Sequence, residues 1–494
     1  MRKQWIDGVT LIQASDMNRF EDSTERVNEL IGENLYYAGV KFTENGNGYT
    51  AERLGLAKDS AIQKVQSVDD LGNEVEKIVS SFDSIYPWSR MKRVIIDNSL
   101  NVVDEEGTQT YDDTLSTNGY AKHTHMVMRR TPKFYYKISI TTIPNTDDWQ
   151  EIVLLVSPYK ITGYSLYPTF IGINADGTTY EKEWAYTNAF GCTLVNKTTG
   201  EFPFENLPDD ESIRVRNAND FQFNKNGITV ASNYYLTSVN ARNKQASTAN
   251  FNMTTARIFL ENRNSDKKIM QETFYSAELE MLLQSIEFAD MNGQKNLGDG
   301  CSSIPDNPNT NNNSATVGYT SVLGSNSGSV KINGLSRGGT INNNQKAVSY
   351  RGKENPFGNI WRFLEGIKTG TSGRIKYGIY NPHAVNNYAD YNANSFIEQK
   401  ETDKVFEGSG SGYWRLFGSS SNLLIPNAYK DGAAYYGGNS TARHGDYLWH
   451  NTAGGQICLV GGARYHGAYC GFDCLALHHA FSSATRGIGS GASA

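Results

Sequence analysis

The stretch that most limits what this chain can become runs from Gly461 to Ala494, GGARYHGAYCGFDCLALHHAFSSATRGIGSGASA. Glycine and alanine alternate there with Tyr465, His466, Tyr469, Phe472, His478, His479 and Phe481. It holds no Lys, Glu, Gln, Met, Trp or Asn, although the rest of the chain is rich in Asn, Lys and Glu. A terminal segment that frays is normally polar. Small residues set between aromatic rings instead predict a folded surface, in which the small residues make a frame and the rings are displayed on it. Tyr and Phe give contact area at low entropic cost, and His and Asp add directional hydrogen bonds, so such a surface suits recognition.

The 494 residues allow about two to four domains. Charged residues make up only 20%, while there are 29 Tyr and 47 Gly, a load that suits many short strands joined by loops. A net charge of −6 argues against nucleic acid as a partner, because phosphate is neutralised by clustered Lys and Arg. No run approaches the roughly 20 apolar residues of a membrane span, so no membrane insertion is expected. The opening MRKQWIDGVTLIQASDMN has basic residues but no apolar core of signal-peptide length, so no Sec export is expected. Five cysteines, Cys192, Cys301, Cys458, Cys470 and Cys474, are too few and too scattered for a disulfide framework and read as free thiols of a protein assembled in a reducing cytoplasm.

Along the chain, residues 14–31 read as a helix capped by Ser15 or Asp16, with Met17, Phe20, Thr24, Val27 and Ile31 forming a narrow seam suited to association. Asn45-Gly46-Asn47-Gly48 is turn chemistry. Leu71, Val75, Ile78 and Phe82 predict a second helix over 69–83. Residues 93–97, 134–140 and 151–156 are β-branched or aromatic runs that predict strands, with turns such as Pro144 to Asp147 between them. Met270, Phe274, Ala277, Met281 and Phe288 predict a helix over 266–292 that stops at Gly293. Residues 298–316 are polar and of low complexity, and predict a long loop. In Arg351-Gly352-Lys353-Glu354-Asn355-Pro356-Phe357-Gly358-Asn359, the glycines permit turns and Pro356 favours extended backbone at Asn355. With Ile360, Trp361, Phe363, Leu364 and Ile367 behind it, the motif reads as a structural corner on a core strand.

The segments Ser349 to Ile367 and Gly461 to Gly489 together resemble the C-terminal domain of bacteriophage tail-fibre adhesins with a C-type-lectin-like fold. Relatives of that domain include phage tropism determinants, the variable proteins of diversity-generating retroelements and, more remotely, formylglycine-generating enzymes. The segment Met126 to Lys137 resembles one that precedes this domain in the same phage proteins, and Trp5 to Glu21 resembles their particle-attachment segment. The resemblance implies an α+β, β-rich fold: a short N-terminal helical attachment and trimerisation segment, a β-rich middle, and a C-terminal C-type-lectin-like (formylglycine-generating-enzyme-like) domain. The implied domains are 1–35 for virion attachment and trimerisation, 36–84 as linker and helix, 85–245 as β-rich spacer, and 246–494 for receptor binding. It also implies a tail-fibre or baseplate location on the virion and assembly in the host cytoplasm. The implied partners are a host cell-surface receptor, protein or glycan, and other phage tail or baseplate proteins, within a homotrimer. In retroelement-diversified relatives, adenine mutagenesis of Asn codons gives a residue set without Trp, Lys, Glu, Gln or Met, which matches 461–494. Carried over by motif, the exposed receptor-binding positions would be Arg464, Tyr465, His466, Tyr469, Phe472, Asp473, Ala476, His478, His479 and Phe481, on a frame of Gly461, Gly462, Gly467, Gly471, Leu477, Ile488 and Gly489.

Sugar-reading calcium sites of lectins use Glu-Pro-Asn with a nearby Trp-Asn-Asp; here the order is Glu354-Asn355-Pro356 and no Trp-Asn-Asp occurs. The pairs His123/His125 and His478/His479 lack ligands at metal spacing, so no metal is assigned. No nucleophile elbow, P-loop or dinucleotide fingerprint occurs in a usable context, so no cofactor and no catalytic residue is assigned. The chain therefore reads as a non-enzymatic virion adhesin. The alternatives are a structural baseplate or head-decoration protein and an envelope-polysaccharide depolymerase.

Overall fold

The β-branched and aromatic runs become strands, and the protein is β-rich. A computed structural model describes residues 36–45, 48–105, 120–146, 149–202, 233–241, 247–249, 251–302, 317–332, 345–370, 374–384, 391, 394–402, 409–414, 417–418, 423–425, 445–451, 455–485 and 487–494, with backbone pairs at 5–6, 9–10, 216–217, 429–430 and 433–434. The helix expected over 14–31 and most of the loop expected over 298–316 lie outside the described residues.

Tyr135–Thr142, Gln150–Ser157, Ala38–Glu44 and Tyr49–Gly55 form an antiparallel meander, with the short Ser165–Leu166 on its outer edge. Its alternating inward residues, among them Val40, Phe42, Ile138, Ile152 and Leu154, enter the main core. The helix α2 (Phe274–Phe288) enters the same core through Leu279, Leu282, Leu283 and Ile286; α1 (Met253–Arg263) precedes it, and the short α3 (Gly293–Leu297) follows. A second sheet runs Met270–Gln271, Ala492–Ser493, Trp184–Asn188, His125–Pro132, Lys92–Asp97 and Val102–Asp104. A third runs Lys353–Glu354, Lys346–Tyr350, Gly328–Lys331, Glu74–Ser80 and Ile62–Val68. In the largest, Trp361–Thr369 lies between Ile488–Ser490, which is parallel to it, and Ile457–Val460, which is antiparallel. Leu475–His479, Tyr447–His450 and Gly410–Tyr413 continue that sheet outward.

Strands from all parts of the sequence share these sheets. Glu74–Ser80 pairs with Gly328–Lys331, and Thr187 pairs with Ser493, so the boundaries expected at 84/85 and 245/246 are both crossed by ladders. Tyr186 and Ala494 exchange backbone hydrogen bonds of 2.9 and 3.0 Å.

Three local expectations are corrected. Residues 69–83 are not a helix. The Asp69 carboxylate accepts from the Leu71 and Asn73 N–H groups, Gly72 turns with φ 80°, and Glu74–Ser80 runs on as a strand. Val75 and Ile78 are both buried at a helical spacing of three because the strand is covered on one face at Val75, which packs with Leu323 and Val330, and on the other at Ile78, in the main core. Leu71, placed on the helix face by the pattern, is exposed. The helix expected over 266–292 is shorter. Met270 is in a strand, and α2 starts after Thr273, whose hydroxyl accepts from the Ser276 N–H while Ser276 Oγ accepts from the Thr273 N–H. The helix ends at Ala289 in the left-handed region, and Gly293 opens α3 instead of stopping α2. Asn355 is not extended: it has φ 45°, held by a bond from its N–H to Val348 O at 2.8 Å and one from the Val348 N–H to its Oδ1 at 3.1 Å. The corner itself is as expected, with Gly352 and Gly358 at positive φ and every residue from 351 to 360 buried.

Charge runs through this interior. Glu280 accepts from Arg129 and Lys353, both at 2.9 Å; Lys353 also pairs with Glu272, which accepts from Arg362 Nε at 2.7 Å. All five side chains are buried. The Arg362 and Lys353 charges beside it hold the Glu272 carboxyl at about 2 against the opposing pull of burial. Removing one partner of such a cluster leaves a buried charge uncompensated and costs about 3–5 kcal/mol. Lys353→Met is expected to destabilise the protein by that amount, measured as the shift in urea unfolding midpoint at constant slope; a loss below about 1 kcal/mol would show the network to be dispensable.

Candidate functional site

The site is assembled from the two segments that drew attention in the sequence. The Gly358 N–H donates to Gly461 O at 2.8 Å, and the Arg464 N–H donates to Asn359 O at 3.0 Å, so the 351–359 corner holds the start of the 461–470 loop. The loop is further tied by the Gly467 N–H to Ser302 O at 2.7 Å and by Gln294 Nε2 to Gly467 O at 3.0 Å. His466 Nδ1 accepts from the Ala463 N–H at 3.0 Å, which fixes the ring as the tautomer with its proton on Nε2.

This loop presents an aromatic face. Tyr465 and Tyr469 are exposed at 42% and 41%, and His466 is half-buried between them. The face extends onto neighbouring strands. Tyr447 and Trp449 point outward on Tyr447–His450, and Tyr413 stands opposite Tyr447 on the adjacent strand. The rings contact one another in series: Tyr413 to Tyr447 at 5.0 Å between centroids, Tyr447 to Tyr469 and to Trp449 at 4.4 Å, Trp449 to His466 at 5.1 Å and His466 to Tyr465 at 4.4 Å. The buried Trp361 closes the floor, 5.3 Å from His466 and 5.5 Å from Trp449. Such contacts pin each ring's orientation without a charged group at the centre.

The ten expected display positions divide. Tyr465, His466 and Tyr469 lie together on the face. His478 and His479 are partly exposed at the end of Leu475–His479, with ring centroids 4.1 Å apart, and burial together with their proximity holds the His479 ring near a pKa of about 4. Phe481 is half-buried elsewhere, 5.1 Å from the Tyr391 ring and 5.2 Å from the Arg257 guanidinium. Four positions expected to be exposed are buried: Arg464, Phe472, Asp473 and Ala476. Phe472 packs edge-on to Phe357 and Tyr350 at 5.2 and 5.6 Å. Ala476 sits under Trp449 in register and beside Leu459. Arg464 tucks its guanidinium against the Tyr465 ring at 5.3 Å. Tyr413, Tyr447 and Trp449 were missed; the period-two alternation of Tyr447-Leu448-Trp449-His450 was the available signal.

Beneath the face is a group of buried carboxyls. The Asp473 N–H donates to Asp446 Oδ2 at 2.6 Å, and Asp473 hydrogen-bonds Glu278 of α2. A side chain at Gly471 would place its Cβ 1.6 Å from Asp446 Oδ1, so only glycine fits there. Gly462, at φ 80°, faces Cys470 Sγ in the same way, at 2.5 Å. Burial pushes Glu278 and Asp446 well above the usual carboxylate range, with Asp473 adding to both, and pushes Asp473 up to about 7. All five thiols are free and buried, and among the described residues no group of His, Cys, Asp and Glu is arranged to hold a metal ion. No protein-family model matches the chain, and no curated protein matches its sequence.

Carboxyls that stay protonated in the fold and ionise in the unfolded chain stabilise it fully below the unfolded pKa of about 4 and lose that contribution as pH rises. The Asp473 share disappears as pH passes about 7, and those of Glu278 and Asp446 above that. Between pH 5 and 7, stability is expected to fall by about 1.4 kcal/mol per unit for each such carboxyl, and above pH 7 Asp473 no longer adds to the slope. Glu278→Gln, which keeps the hydrogen bond without the titration, is expected to flatten the decline in melting temperature. An unchanged slope in that variant would mean the carboxyls are ionised in the fold.

Proposed function

We propose that the protein is a bacteriophage tail-fibre or related virion adhesin that attaches to a host cell-surface receptor through the aromatic face of its C-terminal part. The observation that carries the reading is the exposed pair Tyr465 and Tyr469, held in ring contact with Tyr413, Tyr447, Trp449 and His466 on a floor of buried residues. A monomer surface seldom leaves so many rings together unless something binds there. Pre-set Tyr and Trp rings add contact area with little further loss of rotamer freedom. The sequence resemblance of 349–367 and 461–489 to phage adhesin domains supports a C-type-lectin-like reading of the C-terminal part.

In this reading the N-terminal segment docks to the tail or baseplate and assists trimerisation. Several copies per particle then multiply a weak single-site affinity. Within 461–494, the exchangeable positions are Tyr465, His466, Tyr469, His478 and His479, whereas Arg464, Phe472, Asp473 and Ala476 belong to the frame.

Adsorption of purified protein to host cells tests the proposal. Tyr469→Ala and Trp449→Ala are each expected to weaken binding about tenfold or more, an amount typical of aromatic interface residues, with the melting temperature shifted by only a few degrees. Gly471→Ala is expected to lose binding by unfolding. A protein that neither binds host cells nor blocks phage adsorption would sink the adhesin reading; equal unfolding by all three substitutions would make the face a core.

A further inference from the structure

The strand Ile62–Val68 is the outer edge of the sheet that contains Glu74–Ser80 and Gly328–Lys331. It pairs with Glu74–Ser80 on one side, and among the described residues no strand pairs with its other side. Every residue from Gln63 to Val68 is exposed. Val65 and Val79 are each exposed at 42%, and they share one face of the hairpin, because Val79 stands opposite Gln63 and side chains alternate along a strand.

The backbone direction at this edge is fixed by the ladder behind it. The Ser81 N–H donates to Ala61 O and the Asp69 N–H donates to Asn73 O, both at 3.0 Å. These bonds flank an unbroken register that runs from Ile62 opposite Ser80 to Val68 opposite Glu74. Hydrogen-bonded pairs alternate in an antiparallel ladder, so the odd-numbered residues bond inward. Ile62, Lys64, Gln66 and Val68 then turn their N–H and C=O groups to the open edge. Sheet edges are ordinarily guarded by charge, proline or a bulge. This strand has no proline and no bulge. Its one charge, Lys64, is drawn back to Glu76 at 2.9 Å, and Glu76 also accepts from Gln66 at 2.8 Å. The other long edge strand, Tyr49–Gly55, carries both Glu52 and Arg53, and Arg53 reaches the Ile286 and Glu287 carbonyls of α2.

We propose that the Ile62–Val68 edge pairs antiparallel with the same strand of a second copy of this chain, about a twofold axis at Val65. In that register Ile62 meets the partner's Val68, Gln63 the partner's Ser67, Lys64 the partner's Gln66, and Val65 the partner's Val65. Apolar meets apolar, polar meets polar, and no like charges stand opposite. The even-numbered pairs are the ones whose backbone groups face the edge, so they form the new hydrogen bonds. Centring the axis on Lys64 would set Lys64 against the partner's Lys64, which is unfavourable. Centring it on Gln66 would leave Ile62 and Gln63 without partners. On the Val65 axis the Val65 and Val79 side chains of both copies form one apolar row across the joint. A seven-residue strand pair falls short of the roughly 800 Å² per partner of a standard interface, so the association depends on concentration.

Disulfide trapping in the full-length protein tests the register. On the axis, Val65 is a non-hydrogen-bonded pair whose Cα atoms come to about 4.5 Å, within disulfide reach. Under mild oxidation Val65→Cys is expected to give a covalent dimer about tenfold faster than Ser67→Cys, which lies on the same exposed face but beyond the roughly 7 Å Cα limit from its counterpart. The five native thiols are buried and give no background. Sedimentation velocity is expected to show the mass doubling with concentration, whether the unit that doubles is one chain or a trimer. Val65→Lys, checked for an unaltered melting temperature, sets like charges on the axis and is expected to raise the concentration of half-association about fivefold or more. Equal trapping at positions 65 and 67, faster trapping by Lys64→Cys than by Val65→Cys, or unchanged association in Val65→Lys would overturn the proposal. So would a Val65→Cys thiol that neither links nor reacts with a maleimide, since another segment of the chain would then cover the edge. None of these results bears on host adsorption through the aromatic face.

Discussion

The structure depends on a buried chain of charges in which Lys353 joins Glu280 of α2 to Glu272, and Glu272 passes the link to Arg362 on the central strand. Arg129, from a strand more than a hundred residues earlier, completes it at Glu280. Each charge is costly to bury alone, and the arrangement is tolerable only when all are present together. The network therefore ties α2, the corner and the His125–Pro132 strand to one another. A similar role falls to the Arg257–Glu365 pair, bidentate at 2.6 and 2.9 Å, with the Tyr391 hydroxyl donating to the same carboxylate at 2.8 Å. It ties α1 to the central strand two residues beyond Phe363.

That placement decides where the aromatic face sits. Arg362 Nη2 donates to Pro356 O at 2.8 Å, so the network grips the corner, and the corner in turn grips Gly461 and Arg464 through Gly358 and Asn359. The 461–470 loop thus inherits its geometry from buried charges, of which Arg362 lies directly against Gly461. Below it, α2 reaches the same loop region a second time through Glu278 and Asp473. These two contacts are opposite in kind. The first is a set of salt bridges, with Glu272 held low by its cations; the second is a set of carboxyls pushed up by burial without any cation.

Much of the β architecture was legible in the sequence because short β-branched runs between turn residues have few alternatives. Residues 93–97, 134–140 and 151–156 all fall in strands within a residue or two of the expected limits. The 69–83 segment failed because its apolar spacing of three arose from a strand covered on one face at Val75 and on the other at Ile78, and periodicity alone does not separate that from a helix. The α2 start at Thr273 failed because residues 270–271 are taken by pairing with Ala492–Ser493, a contact more than two hundred residues away. In the candidate site, the frame glycines and the exposed tyrosines were legible as a pattern. The burial of Arg464 and Asp473 was not, since nothing local says that a charged residue will be turned inward onto Tyr465 or Glu278. The same holds for Tyr413, Tyr447 and Trp449, whose part in the face comes from strand order and not from proximity in sequence.

Strand order also limits how far such a surface could vary. Along Tyr447–His450 the outward residues are Tyr447 and Trp449, and the inward ones Leu448 and His450, which are buried. Exchange at an outward position changes what is displayed and little else, apart from the rings it touches. Exchange at a buried one, on either side, meets a packed neighbour: Asp446 behind Gly471, Tyr350 and Phe357 behind Phe472, Leu459 beside Ala476. The composition of 461–494 suggests freedom at many positions, but the packing confines that freedom to one side of the loop and to the strand's exposed end. A surface varied under these limits keeps its shape while its chemistry changes, because the frame is held from beneath by α2 and from the side by the corner. The packing that limits exchange also holds each ring in place before anything binds.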